Sequence, residues 1–387
     1  MSKNNRIYID KEALSALSLL KSGLLYPVID PMRRSEMLEI NKTGFYKNFS
    51  FSCPFLFNPS GKRNQDLIKS AKEGDNFTLV CDDIPCGEII VKESFAIDLE
   101  MRASQMGISV QKESAMKRQG EFALSGHIKL FDNPLDLQKR TVANKINELN
   151  PKNISGLFFN INPLHRVHEK LIRDELEKTD LMIIFLLKNY HDDFLDFDTR
   201  KVCINYVLDN YIMSEKIIVV ELDYTYLFFG DNRHILYWLI ASNFGCTSIL
   251  LGQNHAHLGM YFDNEMTYNI FSSLKGVQID VRILDEYVYC MTCGVITSLK
   301  TCPHGRHHHI SYKPEVILNF FRLGIMPPTI LVRKEISAII LNRLYGENNA
   351  DLLRPIYYEI LPNMGIYSDD ITNDFYNKLI DLYRIHH

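Results

Sequence analysis

Residues 154–169 read I-S-G-L-F-F-N-I-N-P-L-H-R-V-H-E, and the parsing of this stretch decides the fold. Its first half, residues 154–161, is an unbroken apolar run of strand length. Its second half turns to a helical rhythm, with Leu164, Val167, Leu171 and Ile172 on one stripe. Similar runs lie at 180–188, 216–222, 247–252 and 277–284, and helical patterns fill 163–178, 198–213 and 231–243 between them. Continuous apolar strands alternating with helices predict an α/β architecture, a parallel sheet covered on both faces. Ligands of such sheets lie outside the carboxyl ends of the strands, which directs attention to residues 160–169.

Asn162 is a favourable helix N-cap and Pro163 suits the first helical position, so the pattern predicts a helix start there. His165 and His168 then share one face of the first turn. A helix start presents free N–H groups and the positive end of the helix dipole, a favourable setting for a phosphate. Two imidazoles at that place can stabilise charge on a transferring phosphoryl group. The competing readings are an ordinary pair of surface or core-edge histidines, or a pair of metal ligands, the latter without a helical H-E-x-x-H pattern. A second strand end carries L-L-G-Q-N-H-A-H-L-G, residues 250–259, where Gly252 and Gly259 bracket His255 and His257 and permit close backbone approach.

The chain has 387 residues, 46% hydrophobic and 23% charged, an ordinary soluble balance that suits two or three domains. A net charge of −4 argues against a protein built to grip a nucleic-acid backbone. With no basic, apolar leader pattern and no apolar run of membrane-spanning length, a cytoplasmic location is expected. Residues 1–150 read differently from the remainder of the chain. The segment 77–95 suggests two strands around a Pro/Gly turn, and only 8–24 and 63–72 look helical, so a β-rich domain is expected. D-N-P-L-D (132–136) and L-N-P-K-N (149–153) read as the edges of a linking segment.

Of eight cysteines, five are scattered and three lie in Cys290-x2-Cys293-x8-Cys302, with His304 and His307 to His309 just beyond. C-x-x-C lets a tight turn aim two thiolates at one ion, and Cys302 with one histidine completes a closed tetrahedron, the pattern of structural Zn2+. His307 is taken as the fourth ligand because His304 stands so close to Cys302. Buried thiols without metal are the alternative.

Several of these stretches together resemble the ATP sulfurylases (sulfate adenylyltransferases). N-P-L-H-R-V-H-E resembles that family's Q-x-R-N-P-x-H-R-x-H-E segment. N-F-G-C-T-S-I-L-L-G-Q-N-H-A-H-L-G (243–259) is similar to its N-x-G-C-T-x-x-x-x-G-R-D-H-A-G-x-G. Y-C-M-T-C-G-V-I-T-S-L-K-T-C-P-H-G (289–305) is similar to the cysteine cluster of its bacterial members, and P-P-T-I-L-V-R-K-E-I (327–336) to their later P-P-x-x-x-x-R-P-E-V. The resemblance covers roughly 20–341.

It implies a Rossmann-like nucleotidyltransferase domain (151–288) after a PUA-like β-rich domain (1–150), then a small zinc-bearing helical region (289–387), in a homodimer. It implies adenylyl transfer from ATP, with Mg2+, to sulfate or another oxyanion, with release of pyrophosphate. Asn162, His165, His168 and Arg166 take catalytic roles under this reading, and Asn162, His165, His168, Gly252, His255 and Ala256 hold the nucleotide. The chain departs from the pattern where the family holds sulfate. Its Gln and Arg upstream of the Pro are Phe159 and Ile161 here, the Arg and Asp of G-R-D-H-A are Gln253 and Asn254, and I-S-G-T-x-x-R becomes I-S-Y-K-P-E-V from Ile310. Hydrocarbon cannot replace a guanidinium's bidentate grip on an oxyanion. Arg166, Arg233 and Lys313 are the cations at hand to compensate. Transfer to a different acceptor, or an inactive homologue that binds nucleotide, are the other readings. The last ~45 residues are expected to be helical and aromatic, serving as a dimer contact or a cover on the core.

Overall fold

A computed structural model describes residues 5–51, 53–105, 114–189, 195–228, 232–253, 261–262 and 275–346. The N-terminal part is β-rich, as expected. Strands β1 (Arg6–Tyr8), β4 (Phe57–Pro59), β5 (Asn76–Cys81), β6 (Ile84–Ala96) and β7 (Gln119–Leu130) form one sheet in the order β1-β5-β6-β7-β4, beside a short pair β2 (Phe45–Tyr46) and β3 (Phe49–Ser50). The turn between β5 and β6 is made by Asp82 and Asp83, both left-handed at φ 49° and 63°. That is the backbone a tight hairpin requires, so the Pro/Gly stretch expected to turn lies inside β6 instead.

The segment expected to link the two parts contains a helix, Pro134–Leu149. Asn133 caps it, its side chain accepting from the Leu135 N–H, and Pro134 sits at the first position, where its missing N–H costs nothing. This helix ties the N-terminal helix Lys11–Lys21 to the second sheet. Asn133 and Lys139 donate to the Ser18 and Ser22 carbonyls on the N-terminal side, and Gln138 exchanges two hydrogen bonds with the backbone of Glu221 on the other.

The second sheet is parallel throughout. Strands β8 (Ile154–Phe159), β9 (Leu181–Asn189), β10 (Ile217–Tyr224) and β11 (Ser248–Gln253) run in the order β10-β9-β8-β11, and both β12 (Tyr261–Phe262) and β13 (Asp280–Leu284) pair with β11. All six residues of β8 and the first seven of β9 are buried, which is why these strands read as unbroken apolar runs rather than alternating ones. One face of the sheet shares a core with the N-terminal part and the helix Asn232–Asn243. The other packs on the helices Arg166–Leu176 and Phe197–Tyr211 and on the C-terminal helices Pro314–Arg322 and Lys334–Leu341. A three-stranded antiparallel sheet of β14 (Tyr287–Cys290), β15 (Val295–Ser298) and β16 (His309–Ser311) precedes those last two helices.

Candidate active site

The polypeptide leaves the carboxyl end of β8 at Phe159 and turns at Asn162–Pro163, whose peptide is cis. The helix starts three residues later than expected, at Arg166, with His165 as N-cap in extended conformation (φ −139°, ψ 170°). Asn162 is therefore not the cap. The turn lets Leu164 enter the core, 2% exposed, and the cap is made by the histidines themselves. The His165 backbone N–H donates to His168 Nδ1 at 3.1 Å. An imidazole nitrogen that accepts carries no proton, so His168 is the neutral tautomer with its proton on Nε2.

The two rings stack with centroids 3.7 Å apart and 20° between their planes. Phe159 meets the other side of His168 edge-on at 5.2 Å, and Tyr312 lies 5.4 Å from His165. Both histidines are buried, 3% and 1% exposed. Asn162 is also buried, and its Oδ1 has no hydrogen-bond partner. A buried amide oxygen left open is a costly group, and here it lies on the chain between the strand end and the helix start.

A strap from the C-terminal part fixes the helix from outside. The Arg166 N–H donates to the Leu331 carbonyl at 2.9 Å. Arg333 grips Glu169 with both carboxylate oxygens engaged, Nε at 2.8 Å from each and Nη2 at 2.7 Å from Oε2. Its guanidinium stacks 3.5 Å over the Tyr211 ring. Bidentate, stacked pairing is the arrangement that a lysine cannot reproduce. The Arg166 side chain reaches the same carboxylate, 3.4 Å from Glu169 Oε2. At the neighbouring strand end the buried Arg200 donates to Asn160 Oδ1 at 2.8 Å and to the Leu187 carbonyl at 3.0 Å, tying β8 to β9.

Sequence reasoning singled out neither Glu169 nor Arg200, and it quoted Arg333 only inside a motif. The signal for Glu169 was its place in the first turn of the helix that carries the histidines.

Phe159 and Ile161 are fully buried in the core beneath this helix. Lys313 is exposed at the start of helix Pro314–Arg322, next to Tyr312. Gly252 lies in β11, paired with Tyr261 and Leu284. The expectations for His255, Ala256, His257, Gly259 and the Arg233 side chain, and for the last ~45 residues beyond 346, fall outside the described residues.

The thiols of Cys290, Cys293 and Cys302 converge with His304. His304 Nδ1 lies 3.5, 3.2 and 3.7 Å from the three sulfurs, and Cys293 and Cys302 are 4.0 Å apart. A tetrahedral ion with Zn–S near 2.3 Å places its ligand atoms about 3.5–3.8 Å from one another, so these four residues fit Zn2+. The chain turns over Cys290–Gly294, where the Cys293 N–H lies 3.4 Å from Cys290 Sγ and the Gly294 N–H donates to the Cys290 carbonyl at 2.8 Å, with Gly294 left-handed at φ +69°. His307 is not in the group; its ring packs over Gly305 and against His308. His309 Nε2 lies 3.3 Å from Cys302 Sγ, placed to orient that sulfur.

A doubly covered parallel sheet, with polar groups gathered where β8 runs into its helix, defines an α/β protein of the kind that binds ligands at strand ends. A model of the ATP-sulfurylase family matches residues 133–343, and the chain belongs to that family. It is 29% identical over 230 residues to a sulfate adenylyltransferase of Carboxydothermus hydrogenoformans, covering 57% of this chain and 60% of the relative. It is 26% identical over 360 residues to one of Persephonella marina, covering 89% and 92%. The match thus spans about 60% of the length of relatives such as the first. A solved structure, the hexameric APS kinase from Thiobacillus denitrificans, shares the fold with a TM-score of 0.65 at 13% identity, over 96% of this chain and 74% of that one.

Proposed function

We propose that this protein transfers the adenylyl group of ATP to sulfate, or to another oxyanion, and releases pyrophosphate. The observation that carries the reading is the stacked, buried imidazole pair at a helix start, at the carboxyl end of β8, inside the region that matches the family. An acceptor oxygen forms its bond to the α-phosphorus as the bond to the bridging oxygen of pyrophosphate breaks. No protein group becomes covalently attached, so positioning and charge stabilisation supply the rate.

His165 donates to the phosphoryl oxygens as their charge develops. His168 positions it through the cap and the stacked ring. Asn162 contributes its open amide to the nucleotide, Arg166 and the helix start add positive potential, and Gly252, His255 and Ala256 form the nucleoside side. Mg2+ enters with ATP. The four-residue Cys/His group binds structural Zn2+, with His304 as the fourth ligand in place of His307. Residues 1–150 make a PUA-like domain, 151–288 the nucleotidyltransferase domain and 289–387 the zinc-bearing region of a cytoplasmic homodimer.

A second acceptor is favoured by one observation. Phe159 and Ile161, where the family places its sulfate-binding Gln and Arg, are both consumed by the core. The discriminating experiment is pyrophosphate release from Mg-ATP in the presence of sulfate and of a panel of other oxyanions. Release with sulfate supports the first reading, and release with another oxyanion alone supports the second. No release with any of them, in protein that still binds ATP, overturns both.

A further inference from the structure

A cavity of about 480 Å3 lies where the N-terminal part meets Tyr226 of the second, and no residue of the histidine site borders it. Strand β4 ends there at Pro59, the chain turns through Ser60 and Gly61, and the helix Lys62–Ser70 begins. Gly61 takes φ +98°, which only glycine adopts readily. A side-chain carbon built on it would meet nothing nearer than Asn64 Nδ2 at 3.9 Å, so the space beside this turn is open.

The helix start is positive and has no side-chain cap. Its first turn holds no acid but carries Lys62 and Arg63. Cations at that end oppose the helix dipole, and a bound anion relieves them. Lys62 is exposed and forms no ion pair among the described residues. The Arg63 guanidinium lies over the Tyr8 ring, 5.1 Å from its centre. Arg118, the other cation of the wall, is committed to Glu12 and, at 3.4 Å, to Asp10.

Tyr226 supplies an open hydroxyl to the same cavity. The residue is 8% exposed, and its phenol makes no hydrogen bond among the described residues while keeping surface that solvent reaches. Burial raises its pKa, and the nearby carboxylates of Asp10 and Glu12 add to the rise against the opposing charge of Arg102, so it stays a neutral donor. We propose that this cavity binds a sugar phosphate, its phosphate on Lys62 and the N–H groups of the Lys62–Ser70 helix start and a sugar hydroxyl on Tyr226. Asp10, also in the wall, repels the phosphate and accepts from hydroxyls, which sets the orientation. The site is independent of the adenylyl-transfer reading.

Calorimetric titration of the full chain with ribose 5-phosphate tests this, alongside ribose and inorganic phosphate. The ester is expected to bind saturably, with ribose and inorganic phosphate each weaker by about ten-fold or more. Lys62→Glu should abolish binding while the melting temperature holds, because an acid at the first helical position suits the dipole and opposes the anion. Tyr226→Phe should weaken the ester by about five-fold through loss of one hydrogen bond. His165→Ala should bind the ester as wild type does, which separates this site from a phosphate held at the histidine pair. The proposal is overturned by absence of saturable binding, by inorganic phosphate that binds as tightly as the ester, by full binding in Lys62→Glu or Tyr226→Phe, or by loss of binding in His165→Ala.

Discussion

At His168 the choice of tautomer links stability to chemistry. Its Nδ1 is committed to the backbone N–H of His165, so the ring serves as a helix cap as well as a platform for the stacked partner. His168→Ala should therefore lose two things at once: about 1 kcal/mol of stability from the cap alone, read as a lower denaturant midpoint, and the greater part of the turnover. His165→Ala should keep the cap bond, which uses only the backbone N–H, and lose turnover. A His168→Ala variant of full activity would separate the cap from the site and remove His168 from the account.

The same scale shows why one part of the site was legible and another was not. The spacing of the histidines and the apolar run before them were enough to place a site at a strand end. The helix start was misplaced because Asn-Pro reads identically at 133–134 and at 162–163. The first pair does open a helix, with Asn133 as cap, whereas the second turns the chain so that Leu164 reaches the core. The residues after each Pro, and the core they meet, decided the outcome, and local propensity alone does not contain it.

Among the elements, the strap 331–333 and the site helix are joined by the Glu169–Arg333 pair. Removing Arg333 takes the bidentate partner from a mostly buried carboxylate and leaves it the longer contact with Arg166, so Arg333→Met should cost about 2 kcal/mol. The double variant with Glu169→Gln should recover part of that loss, which chemical denaturation of the three variants measures. An effect of Arg333→Met no larger than that of the double variant would mean that the pair is not coupled.

The helix Phe197–Tyr211 carries a pH-dependent contact at its start. Asp196 caps it by accepting from the Thr199 N–H at 2.7 Å and pairs with Arg343 at 3.2 Å. Partial burial pushes its carboxyl up, but these hydrogen bonds and the guanidinium outweigh burial and hold its pKa below the ordinary value. A lowered folded pKa means stabilisation that is present above the unfolded value, near 3.9, and is lost as pH falls through the folded one. Asp196→Ala should accordingly destabilise by about 1 kcal/mol near neutrality, with the difference from wild type vanishing in acid. A difference that persists there would contradict the charge-based cap. The helix Pro134–Leu149 passed as a linker in the sequence because only Leu135 and Val142 along it are buried; its bonds to the N-terminal helix and to the second sheet are polar and leave no apolar periodicity to read.

For the whole molecule, the parallel sheet, the family and the cysteine cluster were legible because each depends on patterns of several residues. The histidine of the proposed zinc site was not, since nearness in sequence counted against His304 while the loop brings its Nδ1 within 3.7 Å of all three sulfurs. Elemental analysis should find one zinc per chain, lost in Cys290→Ser and weakened in His304→Ala, with His307→Ala unaffected; the reverse order for the two histidines would restore the sequence-based choice. The proposed acceptor side was the least legible part, because Phe159 and Ile161 supply only hydrocarbon there and leave any cation to groups brought together by the fold.

The central claim, that the stacked histidine pair serves adenylyl transfer, is tested most directly by the rate of pyrophosphate release from Mg-ATP in wild type and His165→Ala, each with the oxyanion that supports turnover. The account predicts a loss of about 100-fold or more in the variant, with ATP binding retained. Turnover in His165→Ala within a few-fold of wild type would contradict it.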